Sequence, residues 1–277
     1  MAIRLLSVDV DGTITNGRNQ VTQATADALR RAAAAGVIVT LNTGRNLCES
    51  QMVLDRVPEI RYLMGCTGAF LMDVQQHERL SNHTLDIVTA RQVNAIFRKY
   101  DMLIGIFYDD LVCNQADEIG QFTRFYPAEM KSVFDTHTVV PSLTATLAAR
   151  EGSVDKFYVV FADAAAQQAA LREIESLPVF VTSAAFIDIE VMAQDANKGA
   201  ILLELAERLN IRPEEILAIG DSENDVAMLQ TAGVGVAMGN AKDHVREIAD
   251  VVAPDNEHDG VAWTVERVLR GDFDGIG

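Results

Sequence analysis

The residues best suited to chemistry form two short acidic segments near opposite ends of the chain. Asp9-Val-Asp11-Gly-Thr13 follows the apolar run 3–8, and Gly220-Asp-Ser-Glu-Asn-Asp225 follows the apolar run 216–219. Short apolar runs of this kind predict buried strands. Because ligands of open α/β sheets bind just beyond the carboxyl ends of strands, the two acidic segments are predicted to share one site.

Asp9 is the predicted nucleophile, since a carboxylate can attack phosphorus and form an aspartyl phosphate that divides one displacement into two. Asp11 is predicted to be the general acid that protonates the leaving alkoxide and then activates water. Thr13 is expected to hold the turn by a side-chain to backbone hydrogen bond. Taken alone, this segment is also typical of a hairpin turn, and Asp11 of an ordinary surface residue. A calcium loop is rejected, because its twelfth position requires Glu and is Gln20 here.

Two further segments are predicted to supply groups that bind phosphate. Thr43-Gly44-Arg45 lies between the predicted strand 37–41 and a predicted helix over 46–57, where a hydroxyl and backbone N–H groups form a phosphate cradle. A plain helix N-cap is the alternative for Thr43. Lys198 lies at a predicted helix start, against the helix dipole, which indicates a role in neutralising phosphate oxygens. The alternative for Lys198 is an ordinary exposed lysine.

The second acidic segment is predicted to complete a magnesium site, because Mg²⁺ prefers about six oxygen ligands. Three protein ligands are expected: the carboxylates of Asp9 and Asp221 and the backbone carbonyl of Asp11. Asp225 lies one helical turn beyond Asp221 and is expected to steady the site, and Asn224 is expected to reach a phosphate oxygen. The predicted metal-binding residues are therefore Asp9, Asp11, Asp221 and Asp225.

Composition excludes several classes of partner. The 277 residues carry a formal charge of −17, which argues against nucleic acid. No apolar run approaches the roughly 20 residues that span a bilayer, and the acidic residues interrupt the first apolar run too early for a secretory signal. The cysteines lie far apart in no metal spacing, which indicates the cytoplasm and argues against zinc. The oligomeric state is left open.

The order of predicted elements indicates two modules. Strands and helices alternate in residues 1–82 and again in 191–277, a pattern typical of a parallel α/β sheet. Between them, residues 83–190 read as an inserted α+β module with antiparallel strand pairs around 108–110 and 183–185. A polar, partly helical region extends to about residue 147. The glycine-rich stretch 233–239 is interpreted as a core strand with tight turns, because its glycines do not open a helix as in a dinucleotide-binding loop.

Together these motifs resemble those of the haloacid dehalogenase superfamily, in its Cof-type phosphatase subgroup. The matching segments are DxDGT at 9–13, Thr43, Lys198 within Asn197-Lys-Gly199, GDxxNDxxM at 220–228 and Gly239-Asn-Ala241. The resemblance implies a Rossmann-like core, a C2B-type cap formed by the inserted module, bound Mg²⁺, and hydrolysis of a phosphate monoester through phospho-Asp9. Two departures stand out. Thr67-Gly68 replaces a common Asn-Gly, and Val8-Asp-Val-Asp11 is similar to archaeal-type phosphoglycolate phosphatases and phosphomannomutases.

The resulting hypothesis is a magnesium-dependent phosphatase of small phosphorylated metabolites, with sugar phosphates foremost. A sugar phosphomutase and a phosphoglycolate phosphatase are the alternatives that use the same site. A non-enzymatic binding protein is the third, and the intact set of motif residues argues against it. The inserted module is expected to select the substrate, with the loops 108–110 and 183–185 as candidate contacts.

Overall fold

A computed structural model describes residues 2–126, 134–183 and 187–273. The chain divides into two compact units. The first unit combines Met1–Asn82 with Asn197–Gly277, and the second unit is His83–Ala196. Both ends of the chain therefore belong to the first unit, and the second unit is an insertion into it.

The strands of the described residues are β1 (Leu5–Val8), β2 (Ile38–Asn42), β3 (Tyr62–Gly65), β4 (Phe70–Asp73), β5 (Glu78–Asn82), β6 (Met102–Tyr108), β7 (Leu111–Gln115), β8 (Thr138–Val140), β9 (Lys156–Phe161), β10 (Val179–Thr182), β11 (Asp188–Ala193), β12 (Ile216–Gly220), β13 (Val234–Ala237) and β14 (Val251–Val252). Their α-helices are α1 (Gln23–Ala34), α2 (Leu47–Arg56), α3 (Ile87–Phe97), α4 (Ala116–Ile119), α5 (Leu143–Ala149), α6 (Ala164–Ile174), α7 (Lys198–Arg208), α8 (Val226–Thr231), α9 (Asp243–Ile248) and α10 (Gly260–Arg270).

Local sequence explains where the helices of the first unit begin and end. The Thr22 hydroxyl accepts a hydrogen bond from the Thr25 N–H and caps α1, and Gly36 takes a φ of 89° just beyond its end. Asn46 and Glu49 form a capping box at α2. Among the described residues, the helices are too short or too polar to cross a bilayer.

The first unit is built on one sheet with the strand order β14-β13-β12-β1-β2-β3-β4-β5. Pairing is parallel from β14 to β3 and antiparallel across β3, β4 and β5. The four residues of β1 are buried, as are those of β12, because helices cover the sheet. The glycine-rich stretch does contain a buried core strand, β13. The predicted α/β fold is confirmed.

The second unit contains a sheet with the order β10-β11-β9-β6-β7-β8, antiparallel except for the pair β7 and β8. Its hydrophobic core is formed by the sheet and the buried faces of α3, α5 and α6. Within this core, Phe97 of α3 contacts Phe157 and Phe161 of β9. The predicted hairpin 103–114 is present, with Asp109 and Asp110 at positive φ in its two-residue turn. Parts of the predicted region before residue 147 and of the loop 183–185 lie outside the described residues.

Candidate active site

Three neighbouring parallel strands deliver the principal residues to one edge of the first unit's sheet. Asp9 directly follows β1, Thr43 directly follows β2, and Asp221 directly follows β12. The strands β12, β1 and β2 are adjacent in the sheet. Because the carboxyl ends of parallel strands lie at the same edge, residues far apart in sequence are brought together here.

A tight turn over Val10–Ile14 connects β1 to the following loop. Gly12 has a φ of 75°, and a Cβ atom at this position would lie 2.5 Å from Asp221 Oδ2. Both the backbone conformation and the space therefore require glycine. The turn itself is closed by the Thr15 N–H, which donates to the Val10 carbonyl at 3.0 Å.

Lys198 is fully buried at the first position of α7. Its Nζ donates to Asp9 Oδ1 at 2.7 Å and to Asp225 Oδ1 at 2.6 Å. Burial opposes the positive charge, but the two carboxylates outweigh it and raise the pKa of Lys198 above its usual range. The lysine is therefore charged at neutral pH, and the alternative of an ordinary exposed lysine is wrong.

Asp225 organises the second acidic segment. Its Oδ2 accepts from the backbone N–H groups of Asp221 at 2.9 Å and Ser222 at 3.0 Å, while its Oδ1 accepts from Lys198. These bonds hold the turn after β12 and connect it to α7. Asn224 lies in the same turn, largely buried, and its Oδ1 accepts from the Ser222 hydroxyl at 2.8 Å.

Asp221 accepts a hydrogen bond on each carboxylate oxygen. Thr13 Oγ1 donates to Oδ1 at 3.0 Å, and Asn240 Nδ2 donates to Oδ2 at 3.3 Å. The predicted backbone partner of Thr13 is wrong, because the sharp turn at Gly12 directs the hydroxyl toward the second acidic segment. Sequence reasoning assigned no role to Asn240. The available signal was its place in the matching segment Gly239-Asn-Ala241, just beyond the apolar stretch Val234–Met238.

One oxygen from each of Asp9, Asp221 and Asp225 lies within 4.8 Å of the others. Burial, followed by the charge of Asp225, raises the pKa of the Asp9 carboxyl well above its usual range. The same two causes raise the pKa of Asp221 to about 7. Lys198 supplies one positive charge beside these three carboxylates, so the cluster as a whole is acidic. Hard oxygen donors with an excess of negative charge fit a divalent cation such as Mg²⁺.

The Thr43 segment is held by backbone and side-chain bonds. The Thr43 N–H donates to the Met64 carbonyl at 2.9 Å, and its buried hydroxyl accepts from the Arg45 N–H at 3.2 Å. The alternative that Thr43 is a plain N-cap is wrong, because Asn46 caps α2. Gly44 lies between the two residues and, with them, forms the loop from β2 to α2.

Arg45 points its guanidinium at Asp11. Nε donates to Oδ2 at 2.9 Å and Nη2 donates to Oδ1 at 2.5 Å, while Nη1 donates to the Glu49 carbonyl at 3.0 Å. The Asp11 side chain is 62 % exposed, whereas that of Asp9 is 5 % exposed. The two carboxylates of the first motif therefore occupy different environments: one is enclosed beside Lys198, and the other faces solvent beside Arg45.

A strained loop follows β3. Cys66, Thr67 and Gly68 all have positive φ, at 49°, 59° and 96°. The Cys66 N–H donates to the Arg45 carbonyl and the Thr67 N–H to the Thr43 carbonyl, both at 2.9 Å. Thr67-Gly68 is the segment that departs from the resembled pattern. Its support of the Thr43 segment was not predicted from the sequence.

These features define an α/β protein with a buried acidic cluster and a lysine at the carboxyl edge of its parallel strands. The chain matches the haloacid dehalogenase-like hydrolase family over residues 6–265, and it belongs to that family. The predicted resemblance is thereby confirmed, including its Cof-type subgroup. The protein is a hydrolase of the phosphatase class.

Known proteins match almost the whole chain. The 5-amino-6-(5-phospho-D-ribitylamino)uracil phosphatase YcsE of Bacillus subtilis is 28% identical over 96% of this chain and 95% of its own length. The phosphoglycolate phosphatase of Methanothermobacter thermautotrophicus is 28% identical over 96% of this chain and 99% of its own length. A solved haloacid dehalogenase-like hydrolase from B. subtilis has a TM-score of 0.85 at 26% identity, covering 95% of this chain and 99% of that one.

Proposed function

We propose that this protein is a Mg²⁺-dependent phosphatase that hydrolyses small phosphorylated metabolites, sugar phosphates foremost, through a phosphorylated Asp9. The observation that carries the proposal is the buried contact of Lys198 Nζ with both Asp9 and Asp225. This contact leaves a charged lysine beside the carboxylate that is to attack an anionic phosphate. The bonds to Lys198 orient the nucleophile and supply positive charge where phosphate oxygens would gather.

In the first step Asp9 attacks phosphorus, so that a bond forms between its carboxylate oxygen and phosphorus while the bond to the ester oxygen breaks. The proton for the leaving alkoxide comes from Asp11. The loop Thr43-Gly44-Arg45, together with Lys198 and Asn224, binds the phosphate oxygens. Most of these groups are held by the loop bonds described above, which supports their role as a preorganised cradle.

In the second step water attacks the phosphorus of phospho-Asp9, and the bond to Asp9 breaks to release inorganic phosphate. Asp11 takes the proton from this water. The Arg45 guanidinium donates to both oxygens of Asp11 and so fixes the direction in which this carboxylate faces. Solvent exposure of Asp11 gives the attacking water access to it.

The carboxylates of Asp9 and Asp221 and the backbone carbonyl of Asp11 are proposed to hold Mg²⁺. When bound, the ion neutralises charge on the phosphate and on Asp9. Unlike Asp221, Asp225 has the charged Lys198 on Oδ1 and two backbone N–H groups together on Oδ2, so its oxygens are less open to a cation. Its part in the metal site is therefore to fix Lys198 and the turn that carries Asp221.

Two names among the relatives bear on the substrate class. They denote phosphatases of a phosphorylated ribityl compound and of phosphoglycolate, which are both small phosphate monoesters. The phosphoglycolate name keeps that substrate as a second candidate. We place sugar phosphates first because a phosphorylated polyol chain and a sugar phosphate present the same phosphate ester on a hydroxylated carbon chain.

The first experiment replaces Asp9 by Asn. The amide is nearly isosteric but is no anionic nucleophile, so turnover should fall by about 10³-fold or more. Acid-quenched wild-type enzyme should retain radiolabel from a labelled substrate, and the variant should retain none. Asp27→Asn, the same change on α1 outside the site, is the matched control and should keep wild-type turnover. Turnover of Asp9→Asn within about tenfold of wild type would reject the nucleophile.

The substrate class is tested with a panel of sugar phosphates, phosphoglycolate and a phosphorylated ribityl compound, each assayed with Mg²⁺. Free phosphate and the phosphorylated product are measured together, the latter by ³¹P NMR. A phosphatase releases phosphate in step with substrate loss. Isomerised sugar phosphate without free phosphate would identify a mutase instead.

A further inference from the structure

The side chain of Asn240 connects three separate segments of the first unit. Its Nδ2 donates to the Gly12 carbonyl at 2.8 Å and to Asp221 Oδ2 at 3.3 Å. Its Oδ1 accepts from the Asn256 N–H at 3.1 Å. One exposed residue thus holds the turn after β1, the carboxylate after β12, and the loop after β14.

The other carboxylate oxygen of Asp221, Oδ1, is held by Thr13. Thr13, which is 2 % exposed, donates its hydroxyl to Oδ1. Gly12 packs so closely against this carboxylate that even a methyl group would not fit. With a donor on each oxygen and backbone against its face, Asp221 has little freedom to rotate.

Such a carboxylate suits a small cation better than a large one. Mg²⁺ takes ligands at about 2.0–2.1 Å in strict octahedral geometry, so a carboxylate held in one orientation offers it one well-placed oxygen. Ca²⁺ takes six to eight oxygens at about 2.3–2.6 Å and often uses both oxygens of one carboxylate. Chelation by both oxygens would require Asp221 to turn against the bonds from Thr13 and Asn240.

We propose that Asn240, with Thr13, is a positioning residue that holds Asp221 for one-oxygen binding and thereby makes the site select Mg²⁺ over Ca²⁺. This inference rests on the proposed metal site. Hydrogen-bond partners of metal ligands commonly change metal affinity by about 10–100-fold when removed. Here the change should depend on the ion, because the clamp favours one coordination geometry.

The test measures binding of each ion directly, by isothermal titration of the full-length protein with Mg²⁺ alone and with Ca²⁺ alone. Asn240→Ala should weaken Mg²⁺ binding by about 10-fold or more and Ca²⁺ binding by much less, so that the preference for Mg²⁺ narrows by about 10-fold. Thr13→Val should also narrow the preference for Mg²⁺ over Ca²⁺. Because Thr13 is buried and its variant can fail to fold, the exposed Asn240 carries the decision.

Asn256→Ala is the matched control. It removes a side-chain amide that donates to the Thr15 carbonyl at 2.9 Å and keeps the backbone N–H that donates to Asn240. The hydrogen bonds of Asp221 in the described part of the chain come from other residues. The preference of this variant for Mg²⁺ should equal that of wild type. An unchanged ion preference in Asn240→Ala, with wild-type protein binding Mg²⁺, would overturn this inference alone. Absence of Mg²⁺ binding by wild-type protein would overturn the proposed metal site and this inference with it.

Discussion

At the scale of single residues, the site separates its two first-motif carboxylates by environment. Asp9 is buried with Lys198, and Asp11 is exposed with Arg45. A buried carboxylate bonded to a lysine keeps one orientation, which suits a nucleophile. An exposed carboxylate can exchange protons with water, which suits an acid and base. The different surroundings of the two aspartates thus support the two roles proposed for them.

Asp11→Asn tests the second of these roles. Loss of a general acid should lower turnover of an alkyl phosphate by about 10²-fold or more. With an aryl phosphate, whose leaving group needs no proton, the loss should be much smaller. The measurement is kcat for both ester types in both proteins. Equal losses for the two esters would contradict the assignment of Asp11 as the acid.

Residues proposed for the chemistry were easier to predict from the sequence than the residues that hold them in position. The ends of apolar runs identified Asp9 and Asp221, which directly follow strands, and Lys198 was identified by its unfavourable place at a helix start. The contact of Asn240 with Asp221 depends on how the loops after β12 and β13 fold back toward β1. The Arg45 pairing with Asp11 depends likewise on two loops that meet in space. Such contacts have no periodic signal in the chain.

At the scale of elements, the loop after β3 stores backbone strain beside the proposed phosphate cradle. Thr67 is a β-branched residue in the left-handed region, where such residues are uncommon, and it is fully buried. A residue held in this way costs about 1–3 kcal/mol and persists where surrounding structure imposes it. Two contacts hold the loop in this conformation. The Thr67 N–H donates to the Thr43 carbonyl, and Gly68 packs closely on Asn197.

Thr67→Asn should therefore raise the free energy of unfolding by about 1 kcal/mol, because Asn tolerates positive φ far better than a branched residue. Urea unfolding followed by fluorescence of Trp263 measures it, since this is the single tryptophan of the chain and lies in α10 of the first unit. Thr67→Val keeps the branch at Cβ and should gain no stability. A Thr67→Asn protein no more stable than wild type would show that strain at this position is offset by the native side chain.

The elements themselves were largely predictable. Apolar runs identified β1, β2 and β12, and α1 begins and ends at residue types common at helix ends, Thr22 and Gly36. These signals are local, since they depend on burial period and on hydrogen bonds within one turn. The strained geometry after β3 was not predictable, because nothing in Cys66-Thr67 favours positive φ. It arises from contacts with residues that are distant in the chain.

At the scale of the whole molecule, the two units have separate hydrophobic cores. The core of the first unit is formed around residues such as Leu5, Leu205 and Ile216, and that of the second unit around Phe97 and Phe157. The alternation of strands and helices, followed by antiparallel strand patterns, indicated this arrangement from sequence. The charged groups buried inside the second sheet were not indicated, because Lys156 and Glu190 look like ordinary strand-face residues in the sequence.

Lys156 and Glu190 form a buried ion pair between β9 and β11, at 2.7 Å, with each side chain 3 % exposed. Lys156→Met should remove the positive charge from this buried ion pair and destabilise the second unit by about 3–5 kcal/mol. Hydrogen exchange followed by mass spectrometry should show faster exchange in the strands of the second unit. The urea midpoint reported by Trp263 should move much less, because that residue belongs to the first unit.

The double variant Lys156→Met/Glu190→Leu separates the charge from the packing. Replacing a buried ion pair by apolar groups of similar volume is often neutral or stabilising, whereas removing one partner is costly. The double variant should therefore recover most of the protection lost in Lys156→Met. Equal loss in both variants would mean that the lost packing around the lysine stem, and not the lost positive charge, causes the destabilisation. Loss of protection that spreads equally through β1, β2 and β12 would show instead that the two units unfold as one.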